Sequence, residues 1–399
     1  MRNAFKRIMR RFDHLLICAH VPIIILIRLL KPAVWIRFGW LQTHKIGHLP
    51  LEAEFYLCER EADIQPARAI DFFFDRQRGD GRICNQQAML MLKRHLRVSL
   101  WVRFLYLANR MLAGSDVHEV HIRARDEYGC RDRDGLFGLF PVQIDFTLAE
   151  REQGWQALTR IGVPRDAKFV CIHVRDAAYW RLRKPGMRND SDYRNSDVAD
   201  FIPAIEALLA QGYFVLRVGF PVSQKLAIAH ERFIDYSHDH RSPFLDVFLA
   251  AHCNLMVSTG SGIDSISYMF RRPILMCNLA PVGHLYSDSA SVVNMPKLHR
   301  WHGAVEWMTY REIHAAGADE FMTTDEFLEH GVEYHDASAA IICSAALEAV
   351  ARVDGSWIET PEDRVLASRF WQIYAGEPRH QQVRGHISSE FLRVHKTLF

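Results

Sequence analysis

Four short apolar runs in the second half of the chain constrain its fold more than any other feature. They are FVCIHV (169–174), YFVLRV (213–218), LMVS (255–258) and PILMC (273–277). A strand that is apolar at nearly every position is buried on both faces, as inside a parallel sheet covered by helices. Polar loops and helical spacing separate these runs, over 197–212, 243–251 and 262–270. Such alternation predicts a doubly wound α/β sheet with ligands at the carboxyl ends of its strands.

The first half repeats the pattern more loosely. Strands are predicted at 34–42, 69–74 and 117–122, and helices near 51–58 and over 85–100. A stretch rich in Gly and Asp (126–141) reads as a surface excursion near a domain boundary, followed by a helix at about 148–161. At 399 residues the chain accommodates two domains. The spacing divides it into an N-terminal segment (1–31), a first domain (32–150), a second (151–360) and a helical tail (361–399). The tail is expected to pack back on the first domain.

Composition narrows the class. Hydrophobic residues make up 49% and charged residues 24%, a globular balance. A net charge of +2 excludes a dedicated nucleic-acid binder, which needs a strongly basic face. None of the eight cysteines forms a CxxC pair, which points to a reducing compartment without a disulfide frame or structural zinc. Despite 21 histidines there is no HExxH, and the one HxxxH (44–48) contains a glycine, so no bound metal is expected.

Charge is concentrated at the N-terminus. The first forty residues hold eight Lys/Arg against one acid, Asp13, and residues 15–30 are strongly apolar. A cleaved signal is disfavoured, because RLLKPAVW follows where a small-residue cleavage site belongs. His20, Pro22 and Arg28 interrupt a run already short for a span. An interfacial helix on the inner membrane face fits best, with a helix buried on the protein itself and a true span as the alternatives. The implied location is cytoplasmic and peripheral.

Four constellations carry chemistry. His173, Arg175 and Asp176 sit at the end of a buried strand, with His173 and Arg175 on one face. A guanidinium there offers a planar, permanently charged fork suited to a diphosphate. The structural alternative pairs Arg175 with Asp176 or Asp246. Ser258, Thr259, Gly260, Ser261 and Gly262 then join a strand to a helix, where backbone N–H groups can meet a phosphate or simply cap the helix. The basic, aromatic loop 176–196 ends on Tyr193, Arg194 and Asn195 and serves either as a substrate lid or as a helix cap by Asn195 or Ser196. It includes Lys184 and Arg188. Arg217 and Gly219 end another strand, where the glycine would admit a nucleotide. Lastly, His44 or His48 of HKIGH can act as general base, against an ordinary structural role.

Taken in order, HKIGHL (44–49), CNQQ (84–87), FVCIHVRDAAYW (169–180), DYRNSDVADFIPAIEALLAQGYFVLRVG (192–219), FLDVFLAAHCNLMVSTGSGI (244–263) and GHISSEFLRVHK (385–396) resemble a bacterial family of glycosyltransferases encoded at surface-polysaccharide loci. The HVR segment is also distantly similar to the HxR motif of GDP-fucose-dependent fucosyltransferases. The resemblance implies a GT-B fold, two Rossmann-like doubly wound domains facing across a cleft, with the acceptor in the first and a nucleotide-diphosphate sugar in the second. It implies Arg175, and less directly His173, at the donor diphosphate, no cofactor and no metal. The acceptor would be a glycan or a lipid-linked glycan, and direct displacement would invert the anomeric centre. A pyruvyl or phosphoryl transferase on the same scaffold, or a membrane-docked nucleotide-binding protein without catalysis, are the other readings.

Overall fold

The computed structural model describes residues 2–75, 83–126, 129–183, 186–187 and 189–399. Lys184 and Arg188 of the basic loop lie outside the described residues. The chain forms two compact units. One is Met1–Cys130 with Leu136–Asp145, the other Arg131–Gly135 with Phe146–Phe399.

The first unit runs α1 (Arg2–Leu29), β1 (Trp35–Leu41), α2 (Leu49–Glu61), β2 (Ala69–Asp75), α3 (Gln86–Lys93), β3 (Arg97–Val98) and α4 (Val102–Arg110). The strands β1, β2 and β3 form one parallel sheet in that order, with Trp35 opposite Ala69 and Phe72 opposite Arg97. Two expectations fail here. The helix foreseen over 85–100 stops at Lys93, because Leu96 turns inward to burial and the Ser99 N–H bonds to the Phe73 carbonyl at 2.9 Å. The strand foreseen over 117–122 is instead a 3-10 turn, Ser115–His118, followed by one bridge from Glu119 to Phe38. The 1–31 segment belongs to this unit through α1, and no helix among the described residues is long and apolar enough to cross a membrane.

The second unit is built on β4 (Phe169–His173), β5 (Phe214–Arg217), β6 (Phe233–Ile234), β7 (Leu255–Ser258), β8 (Ile274–Leu279), β9 (Val292–Pro296) and β10 (His386–Ile387). They stand in the order β10-β9-β8-β7-β4-β5-β6, all parallel. Every residue of β4 and β7 is buried, as their unbroken apolar sequence requires. From β4 the chain builds outward to β5 and β6, then returns to place β7, β8 and β9 on the other side. That reversal makes the β4/β7 boundary, with His173 opposite Ser258, the topological switch point where doubly wound sheets bind ligands.

The tail does not join the first unit. Its β10 extends the second sheet, with His386 opposite Val293, and Glu348 of the helix Ala339–Val353 accepts the Ser389 N–H at 2.7 Å. Ile387, Phe391 and Leu392 find their burial there, which decides the docking. The first unit also closes at Asp145 rather than near 150: Phe146 stacks among Phe244, Phe248 and Phe270 of the second.

Candidate functional site

At the switch point the His173 side chain is buried, its Nδ1 3.1 Å from the Val218 carbonyl. Burial, with a smaller push from the nearby Arg175 charge, lowers its pKa to about 4, so the imidazole is neutral at physiological pH. Gly219 follows with φ +114°, and a Cβ there would stand 2.3 Å from His173 Nδ1. The glycine therefore makes room for the histidine ring.

Arg175 is the distinctive group. Its N–H donates to Thr259 Oγ1 at 2.9 Å, its carbonyl accepts the Ser196 N–H at 3.0 Å, and its Nε donates to Asn195 Oδ1 at 3.3 Å. Among the described residues no carboxylate lies within ion-pair distance of its guanidinium. Asp176 is occupied by the N–H groups of Ala178 and Ser223, at 2.8 and 2.7 Å. Asp246 is taken by Arg241 at 2.8 Å and the Tyr236 hydroxyl at 2.9 Å. The internal salt bridge entertained for Arg175 is absent. Burial, and then the neighbouring Arg194 charge, pull its pKa down to about 10, which still leaves it charged near neutrality. Arg194 in turn donates to the Gly260 carbonyl at 2.7 Å. Two guanidiniums thus converge on the β7 loop, a like-charge pairing that an anion would relieve.

The Gly/Ser loop works differently from the phosphate cradle expected. The Ser258 hydroxyl donates to Asp264 at 2.7 Å, the Gly260 N–H to Ser258 Oγ at 3.3 Å, and the Ser261 N–H also to Asp264. The Thr259 N–H is spent on the His173 carbonyl. These groups fold the loop rather than face a ligand. Only Ser261 and Gly262 within it are partly exposed. Asp264 is itself buried, which raises its carboxyl pKa, while the Ser261 N–H and Ser258 hydroxyl that donate to it pull the other way.

Of the remaining candidates, Asn195 joins the site and others do not. Arg217 forms a buried ion pair with Asp235 at 3.3 Å, both side chains 2% exposed, and holds its own loop. Tyr193 packs between Phe327 and Tyr334. Asp197, not Asn195 or Ser196, caps the next helical turn by accepting the Ala199 N–H at 2.9 Å. Two residues absent from the expected set hold Asn195 and Ser196 in place. Buried Lys297 donates to the Asn195 carbonyl at 2.8 Å and pairs with Asp336; buried Asn278, at φ +50°, donates to Ser196 Oγ at 3.4 Å. Their position just beyond, or at the end of, an apolar strand is the signal that could have found them.

In the first unit, His44 and His48 lie in the turn between β1 and α2. His48 is the residue preceding α2, and its Nδ1 stands 2.9 Å from Oε1 of Glu52 one turn on. The Glu52 side chain is 1% exposed while that of His48 is 35% exposed. Glu52 is further held by Gln42 at 2.8 Å and by Arg125. A buried carboxylate on Nδ1 fixes the tautomer and turns Nε2 into the acceptor. Ligand atoms of His48, Glu52 and Cys130 also lie within 4.8 Å of one another, but the Arg125 guanidinium on Glu52 sets a cation against any metal there.

No family model matches the chain, and no curated protein matches its sequence. Among solved structures it is similar to the ADP-heptose lipopolysaccharide heptosyltransferase II of Escherichia coli, at 12% identity over 66% of this chain and 90% of that one, TM-score 0.38. It is likewise similar to a family 9 glycosyl transferase of Veillonella parvula (9%, 74% and 96%, TM-score 0.41) and to E. coli heptosyltransferase WaaC (12%, 60% and 88%, TM-score 0.31). With every one of these scores below 0.5, the two-unit parallel α/β architecture rests on the chain's own sheets.

Proposed function

We propose that this protein is a glycosyltransferase that moves a sugar from a nucleotide-diphosphate donor to a hydroxyl of a glycan or lipid-linked acceptor in surface-polysaccharide synthesis. The observation that carries the reading is Arg175, a half-buried guanidinium at the switch point with Arg194 beside it and, among the described residues, no carboxylate within ion-pair distance of either. Two like charges held side by side are relieved when an anion binds, and a diphosphate offers oxygens to both forks.

In this reading Arg175 and Arg194 take the diphosphate, with the Ser261 hydroxyl and the Gly262 N–H available as further donors. A general base accepts the acceptor's proton; within the first unit, Nε2 of His48, oriented by Glu52, has the character that role requires. The freed oxygen attacks the anomeric carbon, and the bond to the diphosphate oxygen breaks with its electron pair. The two arginines hold the charge that develops on the leaving group, which is where transition-state stabilisation is largest. A single displacement inverts the anomeric centre. The guanidiniums supply the positive charge, so the reaction needs no metal in this scheme.

A thermal-shift screen of the full chain against UDP, GDP, ADP, CMP and their sugars, with Arg175→Ala alongside, tests the reading. At a hundred times its dissociation constant a ligand stabilises the fold by about 2.7 kcal/mol. One diphosphate nucleotide that stabilises the parent and not the variant identifies the donor base. Silence from every nucleotide in a folded sample sinks the proposal, and nucleotide binding without sugar turnover assigns a binding protein instead.

A further inference from the structure

The helix α1 has two unlike faces. Inward, Ile24 is fully buried against Phe38, Phe74, Val102, Tyr106 and Ala108, with Ile17, Val21 and Ile27 packed beside it. Arg28 clamps the same face: its Nη2 donates to Oδ1 of buried Asn109 at 2.7 Å and its Nη1 to the Ala113 carbonyl at 2.6 Å. The helix is therefore fixed to the first unit rather than tethered to it.

Outward, every exposed residue from Leu15 to Leu30 is apolar. Leu15, Ile23, Ile25, Leu26, Leu29 and Leu30 are 46 to 72% exposed. At 3.6 residues per turn they fall within an arc of about 160°. Leu100 and Trp101, at 64 and 63% exposed, extend the surface beside the helix, the Trp101 ring lying 6.5 Å from His20. A continuous apolar face of this kind on a folded unit marks an interaction surface.

We infer that this face docks on an anionic lipid bilayer, with α1 lying flat in the interface as a fixed element of the first unit. Charge decides the occupant. Residues 2–11 of the same helix include five Lys/Arg and no acid, and Lys31 follows its other end. The one acid nearby, Asp13, is paired with Arg103 at 3.3 Å. Cations flanking aliphatic residues, with an exposed tryptophan alongside, match the headgroup, acyl and boundary layers of a bilayer in turn. A second copy of the chain offers the apolar part of that match and repels the cationic part. Because one face is committed to the protein, the aliphatic side chains enter only about 5–10 Å, the depth of an interfacial helix. The docking holds whatever reaction the chain performs.

The test is flotation of the full chain with vesicles of phosphatidylcholine alone or mixed 3:1 with phosphatidylglycerol, at low and high salt. Leu26→Glu combined with Leu29→Glu is the variant, since both side chains already face outward and the fold does not depend on them. Binding to the anionic vesicles that weakens in high salt and falls at least tenfold in the variant, with an unchanged melting temperature, is the expected result. No flotation with anionic vesicles, or equal flotation of parent and variant, overturns it. So does a dimer, seen by light scattering, that the variant dissociates while vesicles are ignored, since that result gives the face to a second copy.

Discussion

The Nδ1 of His48 and a carboxylate oxygen of Glu52 are 2.9 Å apart, with the carboxylate buried and the imidazole 35% exposed. Such a pair separates proton transfer from orientation. His48→Asn should lower kcat by about 10²–10⁴, the usual worth of a positioned base. Glu52→Gln should lower it less, with the KM for the donor unchanged in both. A melting temperature held within a few degrees distinguishes a chemical loss from the loss of the Arg125 and Gln42 contacts that Glu52 also makes.

Arg175→Lys keeps the charge and loses the fork. A charge-assisted hydrogen bond contributes about 1.5–3 kcal/mol, so Arg175→Ala should weaken diphosphate-nucleotide binding by one to two orders of magnitude. Arg175→Lys should recover only part of it. Calorimetric titration with the nucleotide identified by the thermal-shift screen measures both. Equal affinity in parent and alanine variant would remove Arg175 from the donor site.

Lys297 acts at one remove, through the Asn195 carbonyl. Lys297→Met leaves Asp336 unpaired in a partly buried position, and breaking a buried pair costs about 3–5 kcal/mol. Adding Asp336→Leu should return most of that stability in urea melts. Donor KM should stay raised in the double variant, because Asn195 remains unheld; recovery of KM along with stability would assign Lys297 a purely structural role.

The fit between Gly219 and His173 is equally testable. Gly219→Ala imposes a left-handed φ on a residue with a Cβ, about 1–3 kcal/mol, and drives that Cβ into the imidazole. Denaturant melts should show a loss larger than this range. Adding His173→Ala should remove the clash and leave only the backbone part, so a double variant no more stable than Gly219→Ala would contradict the fit.

Acid should unfold the second unit early. His173 has a folded pKa of about 4 against 6.5 when unfolded, so the unfolded chain binds the proton first. The stability in question is complete above pH 6.5 and is lost as the pH falls toward 4. At 1.36 kcal/mol per pH unit the loss is about 3 kcal/mol. Urea melts at pH 7 and pH 4.5 measure it, and His173→Phe should flatten the difference.

What the sequence disclosed follows the division between buried and functional contacts. The apolar runs of β4, β7 and β8 announced a parallel sheet, because burial on both faces leaves an unmistakable composition. Very short β6 and β10 left no such trace, since two residues give no periodicity. The helix Ala339–Val353 carries apolar residues at helical spacing and is legible in the sequence. Arg175 was legible as a cation at a strand end. Arg217, identical in that respect, was not distinguishable from it, because its partner Asp235 is eighteen residues away in sequence and meets it only through the fold. The same holds for Asp264, whose claim on the donors of the 258–261 loop depends on a turn no local pattern reveals.

The outermost strand of the second sheet, β10, lies over ninety residues downstream of β9, the strand it covers. A ribosome builds the chain from the other end. Until residues 386–387 emerge, the nascent polypeptide carries a finished sheet with an open margin at β9, and an open margin is a template for pairing with other chains. A chain that stops before residue 386 should therefore yield aggregate rather than a slightly shortened protein. A tag fused at the C-terminus should matter less than the loss of Ile387.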